Sequence, residues 1–304
     1  MNQNIMQRYG NLVSIRDWLR YAVSRFNRAG LFYGHGTDNA YDEAAYLILH
    51  TLHLPPDTLE PFLDARLLDN ERAAVREVVE RRIAERLPSP YITGEAWLRG
   101  RRFEVDTSVL VPRSPIAELL DEGLAPFIPE PMDVRGVMDM CTGSGCLAIL
   151  AAQAFPEAEV HAVDLSEAAL KVARRNVAAY DLTDRVHLHQ SDLFLAVPPV
   201  ELDLIICNPP YVNAQSMSDL PPEYRHEPRM ALAGGADGMD LVRRILSEAP
   251  AFLASHGMLL LEIGHERQHF EAAFPDIEPL WLDSAETHGQ LMLLYKDQLA
   301  GRTP

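Results

Sequence analysis

Cysteine is scarce in this 304-residue chain. Cys141, Cys146 and Cys207 make neither an even disulfide framework nor the spaced pairs of a zinc site, so stability must come from an apolar core, and the three read as small packing residues near a functional loop. Long hydrophobic runs are missing too. No stretch of 18 apolar residues occurs, which excludes an ordinary membrane-spanning helix. The start Met1-Asn2-Gln3-Asn4-Ile5 lacks the charged and apolar regions of a signal peptide, so the cytoplasm is the expected location. Positive charge is in deficit, with 27 Lys and Arg against 44 Asp and Glu and a formal net charge of -17. That balance opposes tight nonspecific binding to nucleic acid, whose affinity comes largely from cations that neutralise phosphates. It suits simple solubility, or long-range attraction of a basic partner. The local exception, Arg99-Gly100-Arg101-Arg102, reads as a solvated hairpin turn, with RNA contact as the alternative. The histidines suggest no metal site: His187 and His189 would share one face of a strand, with no third ligand spaced with them.

What is present is a 47% hydrophobic content, enough for real cores in two domains. Residues 11–30 place Leu12, Ile15, Leu19, Val23 and Phe26 at helical spacing, with Gly30 as a C-terminal stop. A second helix starts near Asn39 and ends at Pro55-Pro56, and a third covers residues 69–87 with Val75, Val78, Val79 and Ile83 on one side. Pro88-Ser89-Pro90 breaks the pattern, and two short strands then flank a turn at Gly100. A helix over 116–124 precedes Pro126, Pro129 and Pro131. From Gly136 strands alternate with helices, expected at 168–180 and 239–254, and two more strands at 258–263 and 291–296 close the chain. The alternation predicts an α/β fold with a mostly parallel sheet covered on both faces. The expected division is a helical domain over 1–88, a linker with a β-hairpin over 89–131 and a catalytic domain over 132–304.

Two motifs carry the chemistry. Asp139-Met140-Cys141-Thr142-Gly143-Ser144-Gly145-Cys146 runs from an apolar strand through a Gly-rich turn into a helix, a pattern that binds nucleotides and also fits a dinucleotide site. About 20 residues on, the next strand ends at Asp164, where an acidic side chain grips ribose hydroxyls. A third strand, 186–190, ends at Ser191-Asp192-Leu193. The second motif, Asn208-Pro209-Pro210-Tyr211, follows the apolar run 202–207. Its prolines make a stiff turn, and the Asn208 side chain and Pro209 carbonyl can accept both hydrogens of one planar NH2 group. Asp192 has a turn cap as its alternative role.

These residues, in this order, resemble the S-adenosylmethionine-dependent protein glutamine N5-methyltransferases, the HemK/PrmC-like family. The whole chain is similar to the PrmB type, which methylates protein three of the large ribosomal subunit, through residues 33–39, Val111-Pro112-Arg113-Ser114-Pro115, residues 217–221 and Glu223-Tyr224-Arg225-His226-Glu227-Pro228. The sister type that acts on peptide release factors usually carries Pro-Arg-Pro-Asp-Thr-Glu where this chain has Pro112-Arg113-Ser114-Pro115-Ile116-Ala117-Glu118.

The resemblance implies a Rossmann-like class I methyltransferase with a seven-stranded sheet whose last strand is inserted antiparallel, and a small N-terminal helical domain for substrate recognition. It implies S-adenosylmethionine as cosubstrate, no metal, and a basic ribosomal protein as partner, free or in an assembling subunit. Asn208, Pro209, Pro210 and Tyr211 would be catalytic. Thr142, Gly143, Ser144 and Gly145 would approach the methionine part of the cosubstrate, Asp164 its ribose, and Asp192 and Leu193 its adenine; Asn208 completes this set, and Asp139 orients the loop. Arg113 and Glu118 are candidates for substrate contact, with an interdomain salt bridge as the alternative. A methyltransferase for base amines in RNA or DNA, a nicotinamide-dependent oxidoreductase and a catalytically silent assembly factor are the competing readings. The oxidoreductase leaves residues 208–211 unexplained, and the chain's acidity and lack of a base-recognition domain weigh against nucleic acid.

Overall fold

A computed structural model of the chain describes residues 9–285 and 287–299, so the start Met1-Asn2-Gln3-Asn4-Ile5 lies outside the described residues. The chain divides into two compact units. One extends to Glu95 and also takes in Pro221–His226; the other holds Ala96–Leu220 and the chain from Glu227 onward.

The helical unit is built from Ile15–Ala29, Ala40–Thr51 and Asp69–Glu85. Ser14 and Asp17 form a capping box on the first helix, Asn39 caps the second, and Gly30 ends the first in the left-handed conformation that costs glycine nothing. The apolar faces meet in one core with Trp18, Phe26, Leu47, Ile48, Val75 and Val79 at its centre, and full burial of a side chain of this size contributes about 1.5–3 kcal/mol. Periodicity places the apolar side of the third helix correctly but misses that Arg82 is fully buried there. Its guanidinium lies 2.7 Å from Glu43 and 3.5 Å from Glu223, and Arg86 reaches Glu223 at 2.8 Å.

Strands β1 (Glu95–Leu98) and β2 (Arg101–Glu104) form the expected hairpin. Its turn residues Arg99 and Gly100 both have positive φ, as a two-residue hairpin loop requires. Residues 89–131 are not a free connector. Phe103, Ile116 and Leu120 are buried in the core of the sheet unit, and Ser89–Thr93 is a short helix because proline is tolerated in a first helical turn.

The sheet contains β3 (Gly136–Met140), β4 (Glu159–Asp164), β5 (Val186–Gln190), β6 (Leu202–Cys207), β7 (Leu253–Glu262), β8 (Leu280–Leu282) and β9 (Leu291–Tyr295) in the order β5-β4-β3-β6-β7-β9-β8. All neighbours are parallel except β9, which runs antiparallel between β7 and β8. Alternate strand residues enter two cores. Val137, Val160, Ala162, Leu204 and Ile206 pack with the helix Cys146–Ala154, and Met138, Val163, Ile205 and Leu259 pack with the helix Asp240–Glu248. That last helix is shorter than periodicity suggests, because Pro250 cannot donate to a continuing helix, and β7 starts at Leu253 rather than at Met258. β8 and the helices Ala214–Asp219 and Arg267–Ala273, absent from the sequence reading, are too short for a clear period. Strand order reverses beside β3, and ligands bind outside the carboxyl ends of strands at such a switch point.

Candidate active site

At that switch point a cleft enclosing about 740 Å³, its open mouth included, is lined by Cys141, Gly143, Asp164, Leu165, Ser191, Asp192, Leu193, Asn208 and Pro210, within the size range of small-molecule sites. Each comes from the carboxyl end of β3, β4, β5 or β6.

The loop after β3 is held from behind. Asp139 is buried, and its Oδ2 accepts from the Thr142 hydroxyl and from Ala148 N at 2.9 Å. Burial pushes its carboxyl up to about 7, against the opposing pull of those two donors. Gly145 combines φ +80 with an approach so close that a Cβ would lie 3.1 Å from Ala173, so this turn and the helix Glu167–Ala179 can pack together only around glycine. Asp139, Thr142, Ser144 and Gly145 therefore shape the loop from its packed side, whereas Gly143 and Cys141 line the cleft. Ser144 is buried, with its carbonyl accepting from Asn176 at 2.8 Å.

Asp164 joins two loops. Its Oδ2 accepts from Gly143 N at 2.9 Å and its Oδ1 from Ser166 N at 2.8 Å, and burial raises its carboxyl above the usual range while these donors oppose the shift. Asp192 also borders the cleft and pairs with Arg244 at 2.7 Å. Leu193 beside it is buried with φ +50, an uncommon conformation for a leucine that it shares at this rim with Cys141, φ +64.

The Asn208 loop sits between the cleft and a smaller recess lined by Arg113, Asn208, Pro209, Tyr211 and Glu262. Asn208 borders both cavities, and among the described residues its side-chain amide has no hydrogen-bond partner. The loop is clamped by the segment Leu232-Ala233-Gly234-Gly235-Ala236-Asp237-Gly238: Val212 N donates to Leu232 O at 2.8 Å and Gly234 N to Val212 O at 2.9 Å. A Cβ on Gly238 would fall 2.2 Å from the Tyr211 carbonyl oxygen. Tyr211 donates its hydroxyl to Glu262 at 3.0 Å.

Arg113 grips Glu227 through both terminal nitrogens, at 2.6 and 2.8 Å. Both residues belong to the sheet unit, so this pair is not the interdomain bridge weighed from sequence. Glu118 reaches neither cavity; its carboxylate accepts from Ala285 N at 2.8 Å.

A family model described as the methyltransferase small domain matches residues 118–220. A ribosomal protein uL3 glutamine methyltransferase of Bordetella pertussis is 65% identical over 288 residues, covering 95% of this chain and 97% of its own length. Proteins of that description from Burkholderia pseudomallei and Neisseria meningitidis are 56% and 52% identical, covering 94% and 95% of this chain and 95% of their own lengths. The chain belongs to the ribosomal protein uL3 glutamine methyltransferase family. Its sheet and flanking helices are those of a class I methyltransferase. The hMettl16 catalytic domain, solved in complex with the MAT2A 3′UTR hairpin 6, is similar at TM-score 0.50 and 13% identity, covering 76% of this chain and 83% of its own, a likeness of fold alone.

Several residues that border this methyltransferase's cavities escaped the sequence reading. Ser108, Val109 and Leu110 line the cleft, as do Pro228, Met230 and Leu241. The signals in the sequence are the stiff segments Val111-Pro112-Arg113 and Glu227-Pro228 that adjoin them. Glu262 is fully buried in the recess, with its carboxyl raised to about 7 by that burial. The acid that ends the apolar run Met258-Leu259-Leu260-Leu261 was the available clue. At the far edge of the sheet, His161 joins His187 and His189, and its Nδ1 lies 3.0 Å from His189 Nε2. This is the third histidine that spacing along one strand did not reveal, yet among the described residues no group has the arrangement of a metal centre.

Proposed function

We propose that this methyltransferase transfers a methyl group from S-adenosylmethionine to the side-chain amide nitrogen, N5, of a glutamine in ribosomal protein uL3. The observation that carries the proposal is the unpartnered Asn208 amide at the junction of cleft and recess, in a chain 65% identical to a uL3 glutamine methyltransferase. S-adenosylmethionine supplies an electrophilic methyl group on a sulfonium centre. The cleft suits it: Asp164 offers carboxylate lone pairs at the wall made by β4, and Leu165, Leu193 and Val163 give an apolar surface for a flat ring.

A carboxamide nitrogen is a weak nucleophile because its lone pair is delocalised into the carbonyl, so the site works by positioning and electrostatics. Asn208 Oδ1 and the Pro209 carbonyl accept the two amide hydrogens and stabilise positive charge as it develops on the nitrogen. A new nitrogen–carbon bond forms as the sulfur–carbon bond breaks, and the nitrogen then loses a proton to solvent. Pro209 and Pro210 keep the loop stiff, and Tyr211 closes one side of the recess against water. Arg113, anchored by Glu227, stands at the recess as a contact for the incoming peptide. The net charge of -17 attracts a basic protein substrate over a distance, and the helical unit is assigned to its recognition.

The test is mass spectrometry of purified uL3 after incubation with labelled S-adenosylmethionine and either the native protein or Asn208→Ala. One methyl group on a uL3 glutamine is expected, with the rate reduced roughly 10²–10³-fold by the substitution, as for loss of one oriented group from a polar transition-state site. Labelling of a release factor or of RNA in place of uL3 would overturn the substrate.

A further inference from the structure

We propose that Glu262 is a positioning residue of the methyl transfer, holding Tyr211 and the Arg113 segment in one hydrogen-bonded unit around the glutamine recess. This rests on the function proposed above. Glu262 ends β7 directly after Leu261, which pairs in register with Cys207, the residue before Asn208. Its carboxylate thus stands beside the catalytic loop at the floor of the sheet's carboxyl edge. It is fully buried, and both oxygens are occupied: Oε1 accepts from the Tyr211 hydroxyl at 3.0 Å and Oε2 from the Ser114 hydroxyl at 2.5 Å. Ser114 follows Arg113, so one carboxylate ties the two walls of the recess together.

A buried carboxylate is costly unless it is paired and hydrogen-bonded, and among the described residues no cation contacts this one directly. Arg113 lies near enough to favour the charged form, but its guanidinium is committed to Glu227. The groups facing Glu262 are Ser114, Tyr211, Arg113 with Glu227, and the Cys207 thiol, which is itself pushed up by burial. The charged form accepts two hydrogen bonds and fixes the Tyr211 hydroxyl as a donor. The protonated form donates from one oxygen, so one of these hydrogen bonds must reverse or be lost, which changes the setting of either the Tyr211 hydroxyl or the Ser114 hydroxyl beside Arg113.

Two measurements on the full-length protein decide the matter. With 13C-labelled tyrosine, the Tyr211 signal, identified by its loss in Tyr211→Phe, should move with pH about a midpoint near 7 and should not move in Glu262→Gln. A flat native signal, or an unchanged titration in Glu262→Gln, overturns the proposal. In methylation assays kcat of the native protein should rise through the same midpoint. Glu262→Gln should lower kcat about tenfold or more, abolish that limb and leave KM for S-adenosylmethionine unchanged; a native kcat and pH profile in this variant also overturns it. Should Glu262→Gln not fold, Ser114→Ala serves: loss of a donor to the carboxylate must move the Tyr211 midpoint upward, and an unmoved midpoint is a negative answer. If the native protein methylates no uL3, the function proposed above fails, and the tyrosine titration still decides the role of Glu262.

Discussion

Asp164 shows what one side chain can be asked to do. It holds the Gly-rich loop through Gly143 N and its own following turn through Ser166 N, and it presents the same carboxylate to the cleft. Hydrogen bonds to a charged group contribute about 1.5–3 kcal/mol each, so Asp164→Ala should weaken S-adenosylmethionine binding by roughly 10–100-fold in calorimetry. Asn208→Ala, which leaves this wall intact, should bind the cosubstrate far less altered while losing turnover. The place of both residues at the cleft was legible in the sequence, because each stands at the carboxyl end of an apolar strand, where open parallel sheets bind ligands. Glu262 also ends an apolar strand, yet its contacts were not legible. Its partners Tyr211 and Ser114 lie 51 and 148 residues away along the chain, and nothing local marks that pairing.

Among the elements, the segment 233–240 matters beyond its size. It has no regular structure until the helix Asp240–Glu248 begins, yet it forms the shelf beneath Tyr211. Gly238→Val would place a side chain into the Tyr211 carbonyl at a residue with φ +82. Strain and overpacking of this kind cost about 1–3 kcal/mol each. Activity should collapse while far-UV circular dichroism stays close to native, because the sheet does not depend on the shelf. In the helical unit the critical contact is the burial of Arg82 between Glu43 and Glu223. Arg82→Leu would strand the buried Glu43 carboxylate, while Glu223 keeps Arg86 at 2.8 Å, and loss of one partner of a buried pair costs about 3–5 kcal/mol. A lower denaturant midpoint for that unit is the expected result. Helix positions were readable from period and caps; this ionic contact was not, since a charged helix surface looks alike in sequence whether it faces solvent or a buried acid.

At the scale of the whole molecule, charge sets the response to pH and salt. Asp139 and Glu262 both have carboxyls raised to about 7 by burial. A raised carboxyl favours the folded state fully only below its unfolded value near 4, and that contribution is lost as pH rises through about 7. Self-repulsion from a net charge of -17 acts in the same direction. The melting temperature should therefore fall between pH 6 and pH 8.5. Added salt should recover the self-repulsion part of the loss, since it screens exposed charges, but not the part that comes from buried groups. Glu262→Gln should reduce the fall, which calorimetry at the two pH values will show. A melting temperature that rises over this interval would contradict the assignment of both buried acids.

The sequence by itself determined the alternation of strands and helices, the places where strands end, and the residue types at those ends, because apolar periodicity and turn chemistry are local properties of a chain. From these followed the nucleotide-type loop, Asp164, the Asn208 loop and the resemblance to glutamine methyltransferases. The tertiary structure decided which of the candidate residues face the cleft and which support it. Asp139, Thr142 and Ser144 turned out to stand behind the loop, Arg113 to be locked on Glu227, Glu118 to hold a distant backbone amide, and Glu262 to join two walls of the recess. Those outcomes depend on pairs brought together by sheet order and register, where a shift of one residue reverses every side chain, and such pairings are set by packing across the whole core.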